Sequence, residues 1–312
     1  MTVYQPFLEG TEPLQDARGE WLSIHPRTTC EVVEIPSKGS GLVARHNLAR
    51  GTRILVESPL LLLPDGAASR CLDELKCTLQ ELFNAMSPEN RQSFLSLSCG
   101  CRVPCMMDLA GIFKINKLSC GSGSGLFPSA SRINHSCLPN AEAVWNEEKG
   151  WLTVHAITDI PEGTEITRAY VEGSFQERSV FLHSEYDFVC DCWICSCPQV
   201  EIAASDSRRR TIRGLEEELR LPFKTCCELL TDLVTLVRHL GEEFGWPGAV
   251  PGGRLSVSFN TVHQAAACIG DHARASIFAR LMYDIQYIVA GGDHPRSRKL
   301  LDLFYEAGER LV

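Results

Sequence analysis

No run in this chain approaches the ~18 consecutive apolar residues of a membrane-spanning helix. The opening residues Met1-Thr2-Val3-Tyr4-Gln5-Pro6 lack the basic patch and apolar core of a secretory signal. Together these absences point to an intracellular, reducing compartment and argue against a membrane protein. Positive charge is also scarce. Thirty Lys and Arg stand against 39 Asp and Glu, a formal net charge of −9 over 312 residues. Nucleic-acid binders carry a basic face, so none is expected as a partner, whereas an acidic surface steers in a basic one. Arg208-Arg209-Arg210 is too short for a nuclear-localisation run and reads as a solvated helix face, so nucleus and cytoplasm both stay open.

Cysteine, by contrast, is abundant: fifteen in this length. In a reducing compartment, clustered cysteines bind metal more often than they form disulfides. Scattered ones such as Cys30, Cys120 and Cys268 read as buried apolar fillers. Hydrophobic residues make up 44% and charged ones 22% of the chain. That is enough for a sizeable core, and for roughly two domains at ~100–200 residues each.

Residues 1–29 lack periodicity and read as an N-terminal arm. From residue 30 the chain alternates short β-branched runs with turns. Glu31–Ile35 reads as a strand, Pro36–Gly41 as a loop, Leu42–Ala44 and Arg53–Glu57 as further strands. Residues 71–111 form a helical insertion. Leu72, Leu75, Leu79, Leu82 and Phe83 recur at helical spacing, and Ser87-Pro88-Glu89 has the form of a cap with proline at the first helical position. Residues 112–116, Ala143–Trp145, Leu152–Ala156 and Glu165–Thr167 return to strands, with a turn at Asp159–Gly163. Helical periodicity dominates beyond residue 205, over Ser207–Leu221, Thr225–Phe244, Ser258–Ile269, His272–Ala290 and Pro295–Leu311. Gly270-Asp271-His272-Ala273-Arg274 recurs as Gly292-Asp293-His294-Pro295-Arg296, and each Asp is placed to cap a helix. Two such units suggest antiparallel helix hairpins of the tetratricopeptide type.

Two runs carry the chemistry. Cys190-x-Cys192-x-x-Cys195 offers three thiols in six residues. Zinc prefers four ligands in a tetrahedron, and Cys137 is the favoured fourth, with Cys197 as its rival. Four sulfurs leave no open coordination position, so this metal would be structural. Cys99, Cys101 and Cys105 form a second thiol group with no obvious fourth ligand; spare cysteines in a loop are the simpler reading. The other run is Arg132-Ile133-Asn134-His135-Ser136-Cys137-Leu138-Pro139-Asn140. An asparagine carries both donors and an acceptor, so it can read an ammonium, a carboxylate or the edge of an adenine. Lys38-Gly39-Ser40-Gly41 lets backbone approach a ligand closely, but lacks the strand–loop–helix context of a mononucleotide fold. Tyr170 closes a strand, where its hydroxyl could orient an amine.

Together these residues resemble the SET-domain protein lysine methyltransferases, from Glu31 to about Cys197. Lys38–Gly41 resembles that family's first cofactor motif, and Arg132–Asn140 its hallmark Asn-His-Ser-Cys-x-Pro-Asn run. Gly163–Tyr170 resembles the strand that ends in the catalytic tyrosine, and Tyr186–Cys195 the post-SET zinc segment. The helical insertion and helical C-terminal third are similar to the fungal SMYD-like branch, which lacks a MYND finger; no MYND-type cysteine pattern is seen here either.

The resemblance implies an α+β fold: small β-sheets, with the hallmark run threaded as a pseudoknot and a helical C-terminal region. Its parts would be an arm at 1–29, a SET domain at 30–187 with its insertion at 71–111, a post-SET zinc segment at 188–200 and a helical domain at 201–312. It implies S-adenosylmethionine bound by Lys38, Ser40, Asn116, Asn134, His135, Tyr170 and Phe188, the last stacking on adenine. A target lysine would enter from the opposite face along Tyr170 and Tyr186, the catalytic pair. Structural zinc would sit on Cys137, Cys190, Cys192 and Cys195. The partner would be a protein lysine, in a basic histone tail or a non-histone protein, met by a monomer. Two positions depart from the family pattern. Thr164 stands where an acidic residue is common. Arg168, two before the tyrosine, is usually Phe, Tyr or Ile; a guanidinium there would repel a lysine unless it turned outward. A silent, partner-binding SET protein is the competing reading, and a Cys137/His135 hydrolase a remote third.

Overall fold

The computed structural model describes residues 26–64, 71–99, 108–221, 224–245 and 253–309. The expected N-terminal arm therefore falls outside the described residues apart from its last four, as do Cys101 and Cys105 of the second thiol group. After a single helical turn, α1 (Pro26–Thr29), come strands β1 (Cys30–Ile35), β2 (Gly39–Ala44), β3 (Arg53–Glu57) and β4 (Leu61–Pro64). The insertion follows as α2 (Leu72–Ala85), α3 (Pro88–Leu95) and α4 (Leu109–Asn116), then β5 (Leu118–Ser119) and β6 (Gly123–Leu126). A 3-10 turn at Ala130–Arg132 leads into β7 (Asn134–His135), β8 (Ala141–Asn146), β9 (Trp151–Ala156) and β10 (Glu165–Arg168). Beyond lie α5 (Phe175–Tyr186), α6 (Gln199–Glu218), α7 (Cys226–Phe244), α8 (Arg254–Cys268), α9 (His272–Ala290) and α10 (Pro295–Glu309).

The strands form three small sheets, in the orders β1-β2-β10-β7, β3-β9-β8 and β4-β6-β5. β7 joins its sheet parallel to β10, with Thr167 opposite Asn134 and Arg168 opposite His135. The hallmark run is thus clamped to the strand that ends near Tyr170. Asn140 reinforces the clamp: its amide nitrogen donates to the Glu165 carbonyl (2.8 Å) and its oxygen accepts from the Thr167 N–H (2.8 Å). Leu42, Ile54, Leu55, Ile133, Leu152 and Ile166 build the core between the first two sheets. Leu79, Phe94 and Phe113 seat the insertion on Leu61, Leu63 and Leu126 of the third. The last helices have a separate core around Leu236, Leu240, Phe259, Val262 and Met282.

Three expectations are corrected. Residues 112–116 are not a strand but the end of α4. Asp108 caps that helix through the Ala110 N–H, and Leu109, Ala110, Ile112 and Phe113 are buried on it at helical spacing. A five-residue β-branched window is too short to outvote a cap. Gly39–Gly41 belongs to β2, so the loop ends earlier than its turn-forming residues suggested. Lastly, the two Gly-Asp-His repeats are not equivalent. Asp271 caps α9 through the Arg274 N–H (3.0 Å), but Asp293 pairs with Arg53 of β3. His294 bonds the Trp145 carbonyl (3.1 Å), so the second repeat fastens the helical region to the β-sheet. The Ser87 cap of α3 is present, with its hydroxyl accepting from the Asn90 N–H. Among the described residues, no helix is long and apolar enough to cross a membrane.

Candidate functional site

The hallmark run is held from both ends. The Glu57 carboxylate accepts the N–H groups of Ser129 (2.9 Å) and Ala130 (2.8 Å) at the start of the 3-10 turn. From that turn Asn134 points toward β2. Its amide nitrogen donates to Glu165 Oε1 at 2.9 Å. A methyl group on Gly41 would come within 2.8 Å of that nitrogen and 2.7 Å of Ile35 Cγ1. Only glycine lets the strand and the asparagine meet. Lys38, at the β1–β2 turn, reaches Asp191 (3.1 Å) and Glu165 (3.6 Å), and so links the sheet to the cysteine-rich segment.

His135 has a defined tautomer. Its Nδ1 accepts the Tyr170 backbone N–H (3.0 Å), leaving the proton on Nε2, which lies 3.3 Å from Cys137 Sγ. Burial pushes its pKa down to about 4, so the ring is neutral and both its nitrogens are engaged. A Cys137/His135 hydrolase is therefore not supported: the thiol has other partners. Cys137, Cys190, Cys192 and Cys195 converge with all four sulfurs within 4.8 Å of one another. Cys137 stands 3.5 Å from Cys195 and 3.9 Å from Cys190. A tetrahedron with 2.3 Å metal–sulfur arms has edges of about 3.8 Å, so this donor set fits one metal ion. Cys137, not Cys197, completes the group.

The cluster sits in a positively charged shell. The Arg178 side chain is 1% exposed; it donates from Nε to Cys137 Sγ (3.1 Å), from Nη2 toward Cys195 Sγ (3.9 Å) and from Nη1 to the Gly173 carbonyl. Arg209, on α6, donates to the Cys137 carbonyl (2.9 Å) and pairs with buried Glu243 of α7. The helical region thus grips the back of the four-cysteine group.

Tyr170 is the hub of an aromatic cluster. Its ring centroid lies 4.8 Å from Tyr186 and 5.3 Å from His135, and Phe188 is 6.3 Å from His135. Its hydroxyl donates to the Ile133 carbonyl at 2.7 Å, so lone pairs remain on the oxygen. Burial pushes its pKa up to about 12, and raises that of Tyr186. Both phenols keep their protons at neutral pH. Two adjoining cavities of about 330 and 270 Å³ share Lys38, Asn134, Tyr170, Tyr186 and Phe188 as walls. Ser40 and Asn116 line the first, His135 the second. Asn116 spends its amide nitrogen on the Ser98 and Ile112 carbonyls (2.6 and 2.7 Å), leaving its oxygen for a ligand.

All seven residues expected around a cofactor therefore line these cavities. Sequence reasoning missed Glu34, Ser96, Ser98 and Asp191 on the same walls. For Asp191 a signal existed: it lies between two metal-type cysteines, Cys190 and Cys192. Ser96 and Ser98 gave none, because they arrive from the insertion. Arg168 did not turn outward. Its guanidinium carbon stands 4.3 Å from the Tyr170 ring centroid.

The family model described as SET domain matches residues 39–171. Over 259 residues the chain is 30% identical to the histone-lysine N-methyltransferase set5 of Schizosaccharomyces pombe, covering 80% of this chain and 75% of that protein. Shorter matches link it to the human histone-lysine N-methyltransferase SMYD3 (33% over 100 residues; 31% of this chain, 23% of that protein). Another is the human protein-lysine N-trimethyltransferase SMYD5 (43% over 83 residues; 25% and 20%).

Proposed function

This chain belongs to the SET-domain family of protein-lysine N-methyltransferases, and we propose that its two adjoining cavities hold S-adenosylmethionine while a substrate lysine meets it at the Tyr170 hydroxyl. The observation that carries this reading is the shared wall of Lys38, Asn134, Tyr170, Tyr186 and Phe188. When bound, the cofactor supplies the methyl group and a sulfonium charge that favours a neutral lysine amine. Everything else falls to positioning. Because the Tyr170 hydroxyl donates to Ile133, its oxygen is an acceptor for a lysine N–H, which fixes the direction of the nitrogen lone pair. Neither phenol is a base at neutral pH, since burial holds both protons on. The lysine proton leaves to water before transfer. Phe188 offers a face for the adenine, and Lys38 and Asn134 offer donors beside it.

We read the metal as structural zinc on Cys137, Cys190, Cys192 and Cys195. It would tie residues 188–200 to the hallmark run as a lid, with 30–187 the catalytic domain and 201–312 a helical region behind it. The partner is a protein lysine, histone or not, and the enzyme would work as a monomer in nucleus or cytoplasm without binding nucleic acid. Calorimetry with S-adenosylmethionine tests the cofactor site; no heat at hundreds of micromolar would sink the reading. Incubation of the chain with methyl-labelled cofactor and a cell extract should label protein. Tyr170→Phe should cut that signal on the order of 10²–10³-fold while cofactor binding persists.

A further inference from the structure

Arg168 stands out among the cations around the reaction centre. Arg178 faces the thiols and Arg209 pairs with Glu243 at 2.6 Å. Arg168 forms no ion pair with any carboxylate among the described residues. Its Nε is buried without a hydrogen-bond partner, and its Nη1 makes one long contact to the neighbouring Ala169 carbonyl at 3.4 Å. Stacking on the Tyr170 ring accounts for the position of the guanidinium but satisfies none of its N–H groups. A partly buried guanidinium in that state is costly unless an anion arrives to complete it.

The anion is not expected from the cofactor. Arg168 lines neither cofactor cavity, where Lys38 and Arg132 supply positive charge instead. Its guanidinium lies over the Tyr170 ring, 4.3 Å from the centroid, outside the residues that line those cavities. On the proposed reading the Tyr170 hydroxyl meets the incoming lysine, so the guanidinium stands beside that lysine and its neighbours. We infer that Arg168 is a specificity-determining residue that selects target lysines flanked by a carboxylate side chain, Asp or Glu. The carboxylate pairs with the guanidinium fork as the lysine reaches Tyr170. The overall charge of −9 draws basic chains from a distance, but the cation over the Tyr170 ring is this guanidinium, which has no carboxylate partner among the described residues. An arginine beside the target lysine meets it with like charge.

The inference rests on the lysine methyltransferase reading, and the test separates the two. Three synthetic peptides carry one central lysine flanked on both sides by glutamate, glutamine or arginine. Each is methylated by the full chain with labelled S-adenosylmethionine at low salt. The glutamate peptide should exceed the arginine peptide at least tenfold in kcat/KM, and the margin should shrink as salt rises. Arg168→Met should bring the ratio to within about twofold, while Arg168→Lys keeps part of it through its charge. A wild-type ratio near one, or a ratio that Arg168→Met leaves intact, would overturn the inference. So would a loss of cofactor affinity in Arg168→Met large enough to put the guanidinium on the cofactor. If no lysine is methylated in any peptide or extract, the underlying reading fails instead.

Discussion

Replacing Arg178 with methionine keeps most of the stem volume and removes the guanidinium. Four thiolates around a divalent ion carry a net charge of −2, and Arg178 is the fully buried cation in contact with them. Its Nε–H bond to Cys137 Sγ is 3.1 Å, with a longer contact of 3.9 Å to Cys195. A charge-assisted bond of this kind contributes about 1.5–3 kcal/mol. Loss of such a supporting donor typically lowers metal affinity by about 10- to 100-fold, which matches that energy. The Gly173 carbonyl also loses its donor, and leaving it unpaired costs a further ~1–3 kcal/mol. That second cost falls on the fold whether or not metal is bound. Competition against a chromophoric zinc chelator at pH 7 isolates the first effect, and a thermal melt of the metal-free protein isolates the second. Zinc affinity within twofold of the unaltered chain would refute the argument that Arg178 offsets the sulfur charge.

Other outcomes are expected from the fastening of the helical region. Asp293→Ala strands Arg53, which has 13% side-chain exposure, and should cost about 3–5 kcal/mol by denaturant titration. Asp271→Ala, at the matching repeat position, should cost only about 1 kcal/mol because it removes a helix cap. His155 is buried beside Arg53, and burial holds its pKa well below the ordinary value. Below about pH 6.5 the unfolded chain takes up a proton that the folded one refuses. Stability should therefore be full above that pH and fall as pH drops, by at most about 1.4 kcal/mol per unit for this group. Urea titrations from pH 8 to 5 should show a shallower slope in His155→Gln. Phe188→Ala should weaken S-adenosylmethionine binding by about 5- to 150-fold, if base stacking contributes its usual ~1–3 kcal/mol. Calorimetry reads that change, and metal content should stay at one ion per chain.

Much of the site is legible in the sequence because its residues are crowded into short runs. Three thiols in six residues and a polar stretch with a fourth mark a four-cysteine group that could hold a metal, and all seven positions expected around a cofactor line the same two cavities. Helices with long periodicity were also legible, α7 and α9 nearly to the residue. The β4-β6-β5 sheet was not. Its strands are two to four residues long, and β6 reads Gly-Ser-Gly-Leu, a composition that argues against a strand until Leu61–Pro64 pairs with it. Helix α5 was missed although Ser174 and Glu177 form a capping box, visible as Ser-x-x-Glu.

What the sequence determined by itself is the chemistry at each position: which side chains can ligate, stack, donate or stay neutral, and the local periodicity that makes helices. Tertiary structure decided where those groups stand. Two identical Gly-Asp-His motifs became a helix cap and an ion pair to strand β3, because only the second lies against Arg53. Arg168 was a departure from a pattern in one dimension; the structure shows its guanidinium over the Tyr170 ring, without a carboxylate partner among the described residues. Propensity and spacing act over a few residues. Pairing and charge depend on neighbours 31 to 240 positions away, such as Glu165 for Asn134 and Asp293 for Arg53, and those neighbours are set by how the whole chain buries its core.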